Sequence, residues 1–142
     1  EPINSGAYAL LFELKKSSRV FIPRFGKIIF KPGFYVYSGS AKKNLVPRVE
    51  RHIRKSKKLK WHIDYFSSIK SVTIRKVFLF AGRSECEINQ FFKNLGGKII
   101  IESFGSSDCR NKCVSHFLYF EKICKFKPVI EFGGIDGKLF VL

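Results

Sequence analysis

The densest concentration of side chains able to do chemistry lies between Lys42 and Lys60, where nine of the chain's 27 Lys and Arg residues face a single acid, Glu50. Within it Arg48, Arg51 and Lys55 stand at i, i+3 and i+7, so a helix would align them on one face suited to clamping phosphate. Lys42, Lys43, Arg54, Lys57, Lys58 and Lys60 extend the basic surface, with His62 as a further phosphate contact or a cap on the basic loop. Such a run also fits a solvated helix face, but Tyr35, Tyr37 and Trp61 flank it, and rings beside cations favour nucleic acid. Hydrolysing a phosphodiester requires a base to orient water, a cation for the charge that develops on phosphate, and often a carboxylate-held metal. With 11 Asp and Glu in the whole chain, a two-metal nuclease with clustered carboxylates is disfavoured.

Cysteines make a second grouping. Cys109, Cys113 and His116 fall at i, i+4 and i+7, so a helix there would put all three on one face, with Cys86 as a fourth zinc ligand. The spacing matches no common finger, and buried thiols beside a packed histidine are the preferred explanation over zinc. Asp108, next to Cys109, suits hydrogen bonding to loop amides or a secondary place in the active site.

The elements that must position these groups are legible in outline. GAYALLFEL (6–14) and KIIFKPGFYVYS (27–38) are apolar, β-prone runs. Pro32-Gly33 splits the second into two strands joined by a tight turn, giving a three-stranded antiparallel start. In NLVPRVERHIRK, Leu45, Val49, His52 and Ile53 recur at helical spacing, with Pro47 tolerated only in the first turn. WHIDYFSSI (61–69) is a second helical patch, in which Trp61 and Tyr65 share a face as core or as a stacking surface, with core preferred. VTIRKVFLF (72–80) is a strand. Ser84 and Glu87 spell a capping box that opens a third helix ending at Gly96-Gly97. KIIIESF, VSHFLYF and a C-terminal hairpin, PVIEFGGIDGKLFVL, complete the pattern. The expected class is α+β, a small central antiparallel or mixed sheet flanked by helices with extra C-terminal strands, in one domain spanning 1–142.

Composition bounds the partners. The chain is 142 residues long and 45% hydrophobic, with a net charge of +16 and a pI near 10.0. So large a surplus self-repels unless a polyanion offsets it, and nucleic acid is the commonest one; an anionic membrane surface or acidic protein is the rival. No run of about 18 apolar residues exists to span a bilayer and no secretion signal is visible, so a cytoplasmic protein with reduced thiols and no membrane partner is expected. Oligomeric state is not legible.

Gly6-Ala7-Tyr8, Tyr37-Ser38-Gly39 and RVERH (48–52) resemble, in order and spacing, the three opening motifs of the GIY-YIG nuclease fold. YVYSGSA, RHIRKSKKLKWHIDY, Glu85-Cys86 and FGSSDCRNKCVSHFLYF extend the likeness over nearly the whole chain to a divergent branch of that superfamily, found alone or fused to DNA-repair glycosylases. Ala7 and Ser38 replace the family's usual apolar residues. The resemblance implies a GIY-YIG-like sheet and a metal-dependent endonuclease acting on nucleic acid, DNA in preference to RNA. It places Tyr8 and Tyr37 in the active site, Tyr8 preferred as general base, and Arg48 at the phosphate-binding position. His52 then assists or packs, and Glu85 is the single ligand of one Mg²⁺ or Mn²⁺. Glu87 is left to its capping role. A non-catalytic nucleic-acid-binding module on the same fold is the alternative.

Overall fold

In a computed structural model that describes residues 5–105, 113–122 and 137–141, the chain forms eight strands and three helices. They are β1 (Gly6–Leu14), β2 (Ser18–Ile22), β3 (Gly26–Phe30), β4 (Gly33–Ala41), α1 (Leu45–Ile53), α2 (His62–Ser67), β5 (Val72–Ala81), α3 (Glu85–Asn94), β6 (Lys98–Ile99), β7 (Phe117–Phe120) and β8 (Gly137–Val141). Six of the strands make one sheet in the order β6-β7-β4-β1-β5-β8, with every pairing antiparallel; β2 and β3 make a separate two-stranded sheet. The class is α+β, as the run pattern predicts.

β1 is nearly continuously apolar because both its faces are covered, the situation in which alternation disappears. Tyr8, Leu10, Phe12 and Leu14 point into a core shared with α1, α2 and the small sheet, where Phe30, Tyr35, Phe66, Phe104 and Phe117 interlock. Ala7, Ala9 and Leu11 point the other way, against Ile88 and Phe92 of α3. The register sets Tyr8 opposite Gly39 and Leu10 opposite Tyr37, so both tyrosines project from the same face of neighbouring strands.

Several expectations change. The opening is not a three-stranded meander, since Ser18–Ile22 is itself a strand, β2, and takes β3 as its partner. Pro32-Gly33 therefore carries the chain from the small sheet into the large one, where β4 pairs with β1. Ile53 is exposed, because α1 ends there and its buried residues are Leu45, Val49 and His52. KIIIESF contributes only the two residues of β6; the following segment turns. Residues 113–116 are not helical, so the single face expected for Cys113 and His116 is not what brings them together. Of the expected C-terminal hairpin, the first half lies outside the described residues, and β8 pairs with β5.

The capping box at α3 forms as its spacing predicts, with Ser84 Oγ accepting from the Glu87 amide at 3.1 Å. It fixes where α3 starts, and so where Glu85 sits.

Candidate active site

Tyr8, Tyr37, Gly39, Ser40, Arg48, Lys60, Trp61, His62 and Glu85 line one cavity of about 320 Å³. Six different elements or loops supply them. β1 and β4 bring the tyrosines side by side, ring centroids 6.5 Å apart. α1 follows β4 after a short turn at Asn44, whose left-handed φ of 59° starts the helix abruptly enough to return Arg48 over the strand end. There its guanidinium donates to the Ser40 carbonyl at 3.1 Å. One turn further, His52 is buried and its Nε2 lies 2.9 Å from the Tyr8 hydroxyl.

Gly39 leaves room for the Tyr8 ring that a side chain would fill. A Cβ there would overlap the Tyr8 phenol at Cζ and the hydroxyl oxygen, so the ring lies directly over this stretch of β4 backbone.

Burial controls the protonation of the site. It raises the Tyr8 hydroxyl well above the ordinary phenol value, with neighbouring Tyr37 adding to the effect and Arg48 opposing it. Tyr37 is raised too, by burial first and by Glu85 next. Burial also lowers His52 to about 4, assisted by the Lys57 cation, so the imidazole is neutral at pH 7. His52 Nδ1 is buried without a hydrogen-bond partner among the described residues.

Glu85 is the carboxylate of the cavity. Its side chain is 31% exposed, accepts a hydrogen bond from the Ser40 hydroxyl and has Oε2 3.8 Å from His116 Nδ1. Burial raises its pKa, while His116, Ser40 and Arg48 pull it back. One carboxylate facing an open, polar cavity suits a hard, water-rich cation such as Mg²⁺, which takes few protein ligands and keeps several waters.

The basic stretch divides into two populations. Arg51 and Lys55 do not share a phosphate clamp with Arg48: Arg51 grips both oxygens of Asp64 at 3.1 and 3.0 Å, and Lys55 Nζ donates to the carbonyls of Ser67, Ile69 and Val72. Lys57 Nζ caps α1 through the His52 carbonyl at 2.7 Å. These cations are committed to helix ends and loop closure, where unsatisfied carbonyls concentrate. Lys42, Lys43, Arg54, Lys58 and Lys60 are exposed, and Lys60 borders the cavity.

WHIDY acquires a role that spacing did not suggest. Asp64 is fully buried and accepts from the amides of Lys60 and Trp61 as well as from Arg51, closing the basic loop onto α2. Burial pushes its carboxyl up, but these hydrogen bonds outweigh that and leave it below the usual range. Trp61 is partly buried against the core, and Arg51, Lys60 and Arg48 lie 4.4, 5.0 and 5.5 Å from its ring centroid. Tyr65 packs on the core, Tyr35 is buried within it, and His62 stands edge-on to Phe25 at the cavity wall.

Ser40, Gly39 and His116 belong to the site although sequence reasoning did not single them out for it. Ser40 and Gly39 follow Tyr37 in the run YSGS, so their proximity was legible; that of His116 to Glu85 was not. Cys86, Cys113 and His116 do converge, with their ligand atoms within 4.8 Å of one another. Cys109 and Asp108 lie outside the described residues. Among the described residues, no helix is long and apolar enough to cross a membrane.

Set against known proteins, residues 7–132 match the family model described as domain of unknown function DUF123. No curated protein and no solved structure matches the chain.

Proposed function

We propose that this chain, which belongs to the DUF123 family, is a metal-dependent endonuclease of GIY-YIG type that hydrolyses phosphodiesters, DNA in preference to RNA. The observation that carries the reading is that Tyr8, Tyr37, Arg48 and Glu85, from four separate elements, line one cavity. A protein that only bound nucleic acid would gain nothing from bringing a partly exposed carboxylate into its most basic region, because a carboxylate repels phosphate.

Each residue has work matched to its surroundings. Arg48 presents a planar fork to the scissile phosphate and offsets the charge that grows on its oxygens. With His52 as the Nδ1–H tautomer, the Tyr8 hydroxyl donates a hydrogen bond to Nε2, 2.9 Å away, which turns the phenol oxygen's lone pairs toward the cavity to receive a proton from water. At rest the hydroxyl proton stays on Tyr8, since burial disfavours both phenolate and imidazolium. An arriving phosphodiester brings negative charge beside Arg48 and so raises the affinity of His52 for a proton, easing transfer from water through Tyr8. Tyr37 walls the other side and Ser40 holds the Glu85 carboxylate. Mg²⁺ or Mn²⁺, held by Glu85 and substrate oxygens, would supply Lewis-acid activation of water and phosphate.

The raised tyrosines favour a second reading, a non-catalytic nucleic-acid-binding module, because phenols that hold their protons are weak bases. Cleavage of a substrate panel decides between them: supercoiled plasmid, branched and mismatched duplexes, single strands and structured RNA, each with Mg²⁺ or Mn²⁺. Metal-dependent cuts that vanish in Glu85→Ala are expected. Salt-sensitive binding with no cleavage of any substrate would establish the binding module instead.

A further inference from the structure

Beside Glu85, whose carboxylate lies 3.8 Å from His116 Nδ1, three side chains of a different chemical character meet. We propose that Cys86, Cys113 and His116 bind one zinc ion, at a site distinct from the carboxylate that faces the cavity.

The donor atoms are already close to a coordination arrangement. All lie within 4.8 Å of one another, and Cys86 Sγ is 3.8 Å from His116 Nε2. Tetrahedral zinc, with Zn–S near 2.3 Å and Zn–N near 2.0 Å, separates its ligands by roughly 3.5 to 3.8 Å, so small side-chain rotations complete the set.

The histidine is poised in the required tautomer. Its Nδ1 lies 3.0 Å from the Gly105 carbonyl, which can only accept, so Nδ1 carries the proton and Nε2 offers its lone pair toward Cys86. A ligating histidine that donates its second N–H to a backbone carbonyl is the usual outer-shell arrangement at metal sites. His116 is fully buried and its backbone is fixed at both ends, the amide to Phe104 and the carbonyl to Ser38. Burial and the bond from Nδ1 to Gly105 hold the imidazole on this backbone, and the two half-buried cysteines come to it from α3 and from the segment entering β7.

Donor type selects the metal. Thiolate and imidazole are soft or borderline ligands suited to Zn²⁺, whereas the isolated carboxylate of Glu85 suits Mg²⁺ or Mn²⁺. Zinc binding here does not depend on nuclease activity.

The test uses the full chain, reduced, loaded with Zn²⁺ and then desalted. Elemental analysis should return about one zinc per chain. Replacement by Co²⁺ should give an intense near-ultraviolet thiolate-to-cobalt band. Cys86→Ser with Cys113→Ser should weaken zinc binding at least about a hundredfold, beyond the roughly 10- to 100-fold cost of outer-shell changes. Glu85→Ala should keep its zinc, so loss of cleavage and loss of zinc separate cleanly. A reduced wild-type chain that retains no zinc, or a cobalt form without the thiolate band, overturns the proposal even where the double variant does not fold.

Discussion

The Tyr8 hydroxyl lies 2.9 Å from Nε2 of His52, joining the central strand β1 to helix α1 across the floor of the cavity. The bond holds a phenol and an imidazole that burial keeps neutral, and it ties the stability of the fold to pH. His52 has a folded pKa of about 4 against an ordinary 6.5, so between these values the unfolded chain takes up a proton that the folded chain refuses. Its contribution is intact above pH 6.5 and lost as pH falls toward 4, by up to roughly 3 kcal/mol. Denaturant unfolding of wild type and His52→Gln at pH 7 and pH 4.5 should show a smaller acid loss in the variant; equal losses would remove His52 as the cause. Glu85, whose pKa is raised, acts in the opposite sense near the same window, so the difference between the two proteins is the informative quantity.

Gly39→Ala should abolish cleavage without preventing folding. The added methyl meets the Tyr8 ring, which must move off its place beside His52. A loss of about 10²-fold or more in kcat/KM is expected where a catalytic group is misplaced by an ångström. Unchanged activity in a folded Gly39→Ala would separate Tyr8 from the chemistry.

Arg48 and Arg51, three residues apart on one helix, should fail differently. Arg48→Lys should keep the melting temperature and lose about 10²- to 10³-fold in rate, as removal of a single oxyanion-stabilising donor does. Arg51→Ala leaves the fully buried Asp64 without its bidentate partner and should cost about 3–5 kcal/mol in unfolding free energy. Thermal melts and kinetics on both variants check the pair, and a stable, catalytically dead Arg51→Ala would reverse the assignment.

The exposed lysines carry the remaining electrostatics. Charge removal at Lys42, Lys43 and Lys60 should flatten the dependence of log K for duplex DNA on log salt by about 0.9 for each phosphate left without its cation. Lys55→Gln should destabilise the chain and leave that slope nearly unchanged, since its ammonium holds carbonyls of the segment from α2 to β5. Fluorescence anisotropy across a salt series measures both.

Local patterns determined much of this protein. The resemblance of Tyr8, Tyr37, Arg48, His52 and Glu85, in their order along the chain, to the GIY-YIG motifs raised the expectation of phosphodiester chemistry, while β1, β4, β5 and the three helices were marked by periodicity and capping residues. Those signals are readable because they depend on neighbours a few residues away.

Tertiary structure decided which cations remain available to a substrate. Arg48, Arg51 and Lys55 look alike as a helical triplet, but the buried Asp64 claims Arg51, because a desolvated carboxylate needs a partner, and the carbonyls of Ser67, Ile69 and Val72 take Lys55. Strand pairing was equally hidden: local pattern set β3 between β1 and β4, whereas β3 pairs with β2 and β4 pairs directly with β1, a choice made by contacts distant in sequence. The meeting of Cys86 with Cys113 and His116, 27 and 30 residues away, has the same origin, since β7 is carried to the side of β4 and α3 is packed across both.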